Sequence, residues 1–253
     1  MLYYIYDHTF EGLLSAVFDA YNRKEQPDRI IADSSPTPLF VDTHIVVSDK
    51  EKTDRVFNGL KKKLSASALN MLFVCYLSEL EDIELSILRY IQKTFSSPIS
   101  IEINFGDDDV LYLSKIFKKV QNEKTHIYQF VRFQKTADGM FFSIIEPKYN
   151  VLPLCIQFFQ DRYADQAWII YDSIRKYGVH YDGDTSEIVH FDKLDLNINN
   201  GKLKEENLNN EEVAFQDMWK SYLKSITIQE RRNLKLQRQH MPKRFWKYLT
   251  EKN

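Results

Sequence analysis

Residues 168–181 read Trp-Ile-Ile-Tyr-Asp-Ser-Ile-Arg-Lys-Tyr-Gly-Val-His-Tyr, and this stretch decides the fold class. Trp168–Asp172 and Gly178–Tyr181 are rich in β-branched and aromatic residues, which favours strands. Arg175–Tyr177 lie between them and supply the turn. We therefore predict a β-hairpin here. Because the same chain also carries long helical patterns, the hairpin is typical of an α+β protein.

Another hairpin is predicted earlier in the chain. Ile127–Lys135 and Met140–Glu146 resemble strands, and Thr136–Gly139 joins them with Asp-Gly, a typical hairpin turn. A short helix is predicted between the two hairpins at Val151–Phe159, and a further strand after them at Ile188–Leu196. The middle of the chain is thus predicted to contain antiparallel hairpins around a short helix.

The first half of the chain is predicted to be mainly helical. Leu2–Tyr6 resembles a buried strand, and the apolar residues between Phe10 and Tyr21 recur at helical spacing. Short strand candidates follow at Ile30–Ala32 and His44–Val47, before long helical patterns. Helices and hairpins are segregated rather than alternating, which favours an α+β fold. We predict two domains, residues 1–122 and residues 123–253.

The end of the chain is predicted to form a helix followed by a basic tail. Asn197–Asn210 is polar and suggests a linker or surface loop, whereas Glu211–Ile226 places apolar side chains on one face of a helix. From Arg231 onward there are eight Lys or Arg and one acid, so the tail carries +7 within a chain of net charge −2. Such a tail favours contact with nucleic acid, because cations hold phosphates and aromatic rings stack on bases.

The predicted nucleic-acid-binding residues are Arg231, Arg232, Lys235, Arg238, His240, Lys243, Arg244, Trp246 and Lys247. The tail also suits a purely structural role. Phe245, Trp246 and Leu249 have the spacing of a last helix that packs onto the body, with its cations in solvent.

One internal stretch, residues 161–182, is dense in charged and aromatic residues. Within it, Asp165 and Asp172 are candidate general acids or bases, and Arg162 and Arg175 are candidate ligands of a phosphate or carboxylate. The structural alternative is that Asp165 turns the chain into a strand while Asp172 and Arg175 pair across the hairpin.

Several classes of function have no support in the sequence. There is no glycine-rich phosphate loop, no C-x-x-C and no H-E-x-x-H, so we expect neither a metal nor a cofactor. Cys75 and Cys155 lie in apolar runs and suggest buried free thiols. No apolar stretch approaches membrane length and no secretory signal opens the chain, so we expect a cytoplasmic protein with no membrane partner.

Four blocks of this sequence resemble a known bacterial family. The opening block, residues 6–21, reads Tyr-Asp-His-Thr-Phe-Glu-Gly-Leu-Leu-Ser-Ala-Val-Phe-Asp-Ala-Tyr, and the others are Phe130–Lys135, Asp161–Tyr181 and Arg231–Leu249. Together they are similar to a family catalogued as DNA metabolism or DNA repair proteins. Its C-terminal half is a domain of unknown function, which in other proteins is fused to a uracil-DNA-glycosylase-like module.

The resemblance implies a role in the handling of DNA. The family is usually encoded beside a radical-SAM protein described as a DNA modification or repair enzyme, which implies DNA and that enzyme as partners. The iron–sulfur cysteines would belong to the partner, and base excision does not carry over, because this chain has no glycosylase block. We therefore expect a nucleic-acid-binding accessory protein. The alternatives are a nucleic-acid-processing enzyme that uses Asp165, Asp172, Arg162 and Arg175, and a protein–protein adaptor.

Overall fold

The structure is a computed structural model that describes residues 1–36, 39–191, 207–209, 211–231 and 233–252. The chain forms two compact units, Met1–Gln121 and Asn122–Asn253. The division lies inside a long helix, one residue from the boundary predicted from the sequence. That the two units are separate domains stays a prediction. The described residues contain no helix that is both long and apolar enough to cross a membrane.

The first unit has a small parallel sheet. Its strands are β1 (Leu2–Tyr6), β2 (Arg29–Ala32) and β3 (Asp42–Ile45), in the order β2-β1-β3. The strand predicted at Leu2–Tyr6 is confirmed. The third strand begins and ends earlier than the predicted His44–Val47.

Four helices and the first part of a fifth belong to this unit; the first lies between β1 and β2, and the others follow β3. They are α1 (Phe10–Arg23), α2 (Lys50–Lys61), α3 (Ala66–Tyr76), α4 (Ile83–Ser96) and α5 (Asp108–Phe130). Side chains of Thr9, Asp49 and Ser65 cap α1, α2 and α3 by accepting hydrogen bonds from backbone N–H groups of the first turn. Helices α1 and α2 therefore begin shortly after β1 and β3 end. The N-termini of these two helices lie towards the carboxyl edge of the sheet.

The second unit has a five-stranded mixed sheet. Its strands are β4 (Gln134–Lys135), β5 (Phe141–Ile145), β6 (Trp168–Asp172), β7 (Tyr177–Tyr181) and β8 (Ser186–His190), in sequential order across the sheet. The hairpin predicted at residues 168–181 is confirmed, with Trp168 opposite Tyr181 and Asp172 opposite Tyr177. The two hairpins join through parallel pairing of β5 with β6, which a short helix, α6 (Ile156–Arg162), makes possible.

The strand predicted at Ile127–Lys135 is wrong over most of its length. Residues up to Phe130 continue α5, and only Gln134–Lys135 form a strand. Ile127 is buried seven residues, or two helical turns, after Val120, and Phe130 is buried three residues later, so the buried face of α5 extends through them. Their β-branched and aromatic side chains suggest a strand locally, but the helical packing face decides the conformation.

The C-terminal segment contains α7 (Glu212–Ile226) and α8 (Leu234–His240), followed by 3₁₀ turns at Lys243–Tyr248 and Thr250–Lys252. The helix predicted at Glu211–Ile226 is confirmed. The end of the strand predicted at Ile188–Leu196, and most of the linker predicted at Asn197–Asn210, lie outside the described residues. Leu208, within that predicted linker, is buried with Phe142, Ile144, Tyr171 and Tyr248 in one apolar cluster.

Together, the helical first unit and the mixed sheet of the second confirm the α+β class.

Candidate nucleic-acid interface

The basic tail has an anchored half and an exposed half. The anchored half is Arg244–Lys252, in which Leu249 is 0% exposed and Phe245 is 4% exposed. Phe245 contacts the rings of Phe130 and His126, and Tyr248 belongs to the apolar cluster beneath β5 and β6. The structural role predicted for Phe245 and Leu249 is therefore realised in this half.

Two of the predicted nucleic-acid-binding cations have acidic partners in the fold. Arg244 donates to the carboxylate of Glu123, a nearly buried residue whose other oxygen accepts from the backbone N–H of Lys148 at 2.8 Å. Lys247 pairs with Glu146 at 2.6 Å. Burial raises the pKa of Glu146, but hydrogen bonds from Lys247, Tyr248 and Ser173 outweigh burial and lower it overall. These cations stabilise the folded tail.

Trp246 is also engaged within the chain. Its indole Nε1 donates to the backbone oxygen of Met241 at 3.0 Å, and the ammonium of Lys252 lies 4.6 Å from its ring centroid. Glu251 ties the same end to Arg132, with 2.9 Å between Nη2 and Oε1. These contacts therefore hold the last turn of the tail in place.

The exposed half is α8 with its flanks. Asn233 caps α8 by accepting from the backbone N–H of Leu236 at 3.0 Å. The predicted binding residues here are solvent-exposed: Arg231, Lys235, Arg238, His240 and Lys243. Among the described residues, no acid forms an ion pair with any of the four Lys or Arg side chains in this set. Arg232 lies outside the described residues.

The apolar face of α7 is open to solvent, which was not expected from its pattern. Phe215 is 61% exposed and Met218 is 65% exposed, and none of its residues is buried. Trp219 and Tyr222 lie on the same face with ring centroids 5.8 Å apart, and the indole of Trp219 donates to Glu251 at 3.3 Å. Helical spacing located this face, but nothing local in the sequence indicates that it remains uncovered.

The four candidate catalytic and ligand residues of 161–182 do not come together in one site. Asp172 is completely buried and accepts hydrogen bonds from the backbone N–H groups of Ile174 and Arg175, while the Arg175 guanidinium pairs with it at 3.0 Å. Burial raises the pKa of Asp172, and these hydrogen bonds and the cation oppose that rise. Arg175 also donates to the backbone oxygen of Pro147 at 3.2 Å. This is the pairing across the hairpin that the structural alternative predicted.

Asp165 and Arg162 lie at the other end of β6. Both are exposed, and Asp165 occupies the turn that leads into the strand. From Trp168 to Asp172, β6 spans about 13 Å, and this length separates the turn from Asp172. Asp165 and Asp172 therefore cannot act together on one small reacting group in this conformation.

Another polar cluster, at the carboxyl end of β1, was missed by sequence reasoning. Asp7 accepts hydrogen bonds from the hydroxyls of Ser48 at 2.6 Å and Thr9 at 2.7 Å. Tyr6 donates to Glu84 at 3.0 Å, and burial raises the pKa of the Glu84 carboxyl. The available signal was the position of Asp7 and Thr9 directly after a buried strand, where α/β sheets place ligand sites.

Comparison with curated proteins finds no match, and comparison with solved structures also finds none. A family model described as a domain of unknown function, DUF4130, matches residues 81–251, about two thirds of the chain. The matched region contains the residue 161–182 stretch and the tail up to Glu251. By this match the chain belongs to the DUF4130 family.

Proposed function

We propose that this protein is a nucleic-acid-binding accessory in DNA repair or DNA metabolism. The observation that carries the proposal is the exposed half of the tail. Arg231, Lys235, Arg238 and Lys243 are exposed cations with no ion pair to an acid among the described residues. Cations already paired in the fold must break those pairs to bind phosphate, whereas these need only release solvent and counterions.

The neighbouring face of α7 supports the same proposal. Trp219, Tyr222 and Phe215 present exposed rings on the helix that precedes the tail. A stacked base stabilises a complex by about 1–3 kcal/mol for each aromatic ring. Rings together with cations favour a single-stranded or unpaired region over an intact duplex, because paired bases do not expose their faces.

The assignment to DNA repair, with a radical-SAM enzyme as partner, rests on the family resemblance described above. In this scheme the protein holds the nucleic acid and the partner performs the chemistry. The separation of Asp165 from Asp172 supports this division of labour.

The experiment compares two triple variants of the full chain. One carries Lys235→Gln, Arg238→Gln and Lys243→Gln, and the matched control carries Lys115→Gln, Lys118→Gln and Lys119→Gln on the exposed side of α5. For duplex DNA, we expect the tail variant to reduce the slope of log affinity against log salt by about 2 to 3, since each lost phosphate contact removes about 0.9. The control should keep the wild-type slope.

Fluorescence anisotropy with single-stranded and duplex DNA at 25–200 mM salt measures both quantities. The proposal fails if the wild type has no affinity at the lowest salt, or if the control variant loses as much as the tail variant. Co-purification with a radical-SAM protein of the kind that the resemblance implies tests the partner separately.

A second candidate, a protein–protein adaptor, is favoured by one observation. The α7 face also exposes aliphatic residues, among them Val213, Met218 and Ile226, and contiguous apolar surface of this kind is typical of protein interfaces. Met218→Lys distinguishes the two functions: an adaptor loses its protein partner, whereas DNA affinity stays the same or rises with the added cation.

A further inference from the structure

The first unit contains a cavity of about 730 Å³ formed by α1, α2 and α3. Its walls are mainly apolar, with Phe10 and Leu14 from α1, Phe57 from α2, and Leu69 and Phe73 from α3. Phe10 and Phe73 meet edge to face, with ring centroids 5.3 Å apart. This volume and this lining are typical of small-molecule sites, which have apolar walls and a few polar groups.

The position of the cavity in the fold also fits a ligand site. The neighbouring strand β1 lies between β2 and β3, so the chain adds β2 on one side of β1 and then β3 on the other. In open parallel sheets, ligands bind outside the carboxyl ends of strands at such a switch point. The cavity is lined by the first turns of α1 and α2, which begin after the carboxyl ends of β1 and β3.

The charge of the lining decides the kind of ligand. The lining contains three acids, Glu11, Asp49 and Asp54, and one cation, Lys50. The formal charge of the lining residues is therefore −2. Lys50 pairs with Asp54 at 2.9 Å, and Asp49 caps α2, which leaves Glu11 with no ion pair to a cation among the described residues. Two helix N-termini add about +0.5 each. They do not reverse the sign, so an anionic ligand such as a phosphate is disfavoured.

We propose that this cavity binds a small organic cation with a flat aromatic body. The rings of Phe10 and Phe73 would enclose the apolar body, and cations are attracted to aromatic faces. Phe57 adds apolar wall, since the ammonium of Lys61 already lies 4.5 Å from its ring centroid. Glu11 at the rim would face the charged group, and the exposed amide of Asn70 offers both a donor and an acceptor. The site is independent of the proposed nucleic-acid contact, since all of its residues belong to the first unit.

The test uses three probes that share a naphthalene ring and differ in charge. They are (2-naphthylmethyl)trimethylammonium, 2-naphthalenemethanol and 2-naphthylacetate, each titrated into the full chain by calorimetry and ligand-observed NMR. We expect the cation to bind about fivefold or more tightly than the alcohol, and the carboxylate to bind most weakly. Equal or tighter binding of the carboxylate would overturn the proposal, and so would the absence of saturable binding by all three probes.

Two substitutions locate the site. Glu11→Gln should reduce the advantage of the cation over the alcohol by about threefold or more. Its control, Glu51→Gln, removes the same charge from an exposed first-turn position of α2 that does not line the cavity. Phe73→Ala should weaken both the cation and the alcohol. Because Glu11 is exposed, we expect Glu11→Gln to fold, so it tests the site even if Phe73→Ala does not fold. An unchanged preference of Glu11→Gln for the cation over the alcohol counts against the site.

Discussion

At the residue scale, Asp172 illustrates how a residue with catalytic chemistry can serve the fold. Its carboxylate closes the β6–β7 turn through two backbone N–H groups and neutralises Arg175, which in turn holds the oxygen of Pro147. Both oxygens of this carboxylate accept hydrogen bonds from within the fold, and the group is completely buried, so it is not accessible to a substrate. The structure of the hairpin therefore explains why an aspartate stands at position 172.

We predict that Asp172→Asn destabilises the protein by about 3 kcal/mol, because it leaves the largely buried Arg175 without a counter-charge. Asp165→Asn, at the exposed turn, should change the free energy of unfolding by less than about 0.5 kcal/mol. Urea denaturation of both variants measures the difference. Equal stability of the two variants would show that the Asp172 pair does not hold the hairpin.

Glu84 provides a pH-dependent prediction. Burial raises its pKa above the ordinary value of 4.5, so the folded state binds the proton more tightly than the unfolded state. Stability from this group is fully present below pH 4.5 and is lost as pH rises through the raised folded pKa. Glu84→Gln cannot ionise, so its stability relative to wild type should increase across that window.

Urea unfolding at several pH values between 4 and 8 measures this effect. Glu51→Gln is the control, because Glu51 is also in the first turn of a helix but is exposed. Parallel pH profiles for wild type and Glu84→Gln would contradict the prediction.

At the scale of elements, the tail is part core and part surface. Phe245, Tyr248 and Leu249 are buried, with Tyr248 packed against residues of β5 and β6, whereas α8 carries cations in solvent. Truncation at Arg231 would therefore remove core residues together with the proposed phosphate contacts. For this reason the DNA-binding experiment uses exposed substitutions.

We predict that Leu249→Ala costs about 3 kcal/mol of stability, as expected for a fully buried leucine. Leu236→Ala, on the exposed side of α8, should cost less than about 1 kcal/mol. Thermal and urea unfolding measure both. If Leu249→Ala were as stable as wild type, the last turn would not be docked as the structure has it.

At the scale of the whole molecule, the candidate catalytic acids Asp165 and Asp172 do not share one site. We predict that the protein alone releases no bases and makes no nicks in single- or double-stranded DNA that carries several lesions. Asp165 and Asp172 lie at opposite ends of β6, and an acid–base pair must have both groups within hydrogen-bond reach of the same reacting group. Turnover by the wild type that Asp165→Asn abolishes, in a folded protein, would make the chain an enzyme.

We also predict that the purified protein contains no stoichiometric zinc or iron. Cys75 and Cys155 are buried, and burial raises the pKa of each thiol to about 12, which opposes the thiolate that a metal needs. The described residues contain no group of three or more potential ligands arranged for a metal ion. Elemental analysis is the measurement, and about one metal per chain would contradict the prediction.

The sequence by itself determined what depends on local periodicity. Runs of β-branched and aromatic residues located the β6–β7 hairpin, helical spacing located α1 and α7, and the charge count located the basic tail. Each of these signals lies within a window of about 20 residues, which is the range over which side-chain period reflects backbone conformation. The α+β class follows from them.

Only the tertiary structure decided which surfaces are covered. It continued α5 through Ile127, paired β5 with β6 in parallel, left the apolar face of α7 in solvent, and divided the tail at Lys243. These outcomes depend on residues distant in sequence, such as Glu123 for Arg244. The same apolar or basic pattern stabilises a core or forms a surface according to what packs against it, and no local pattern carries that information.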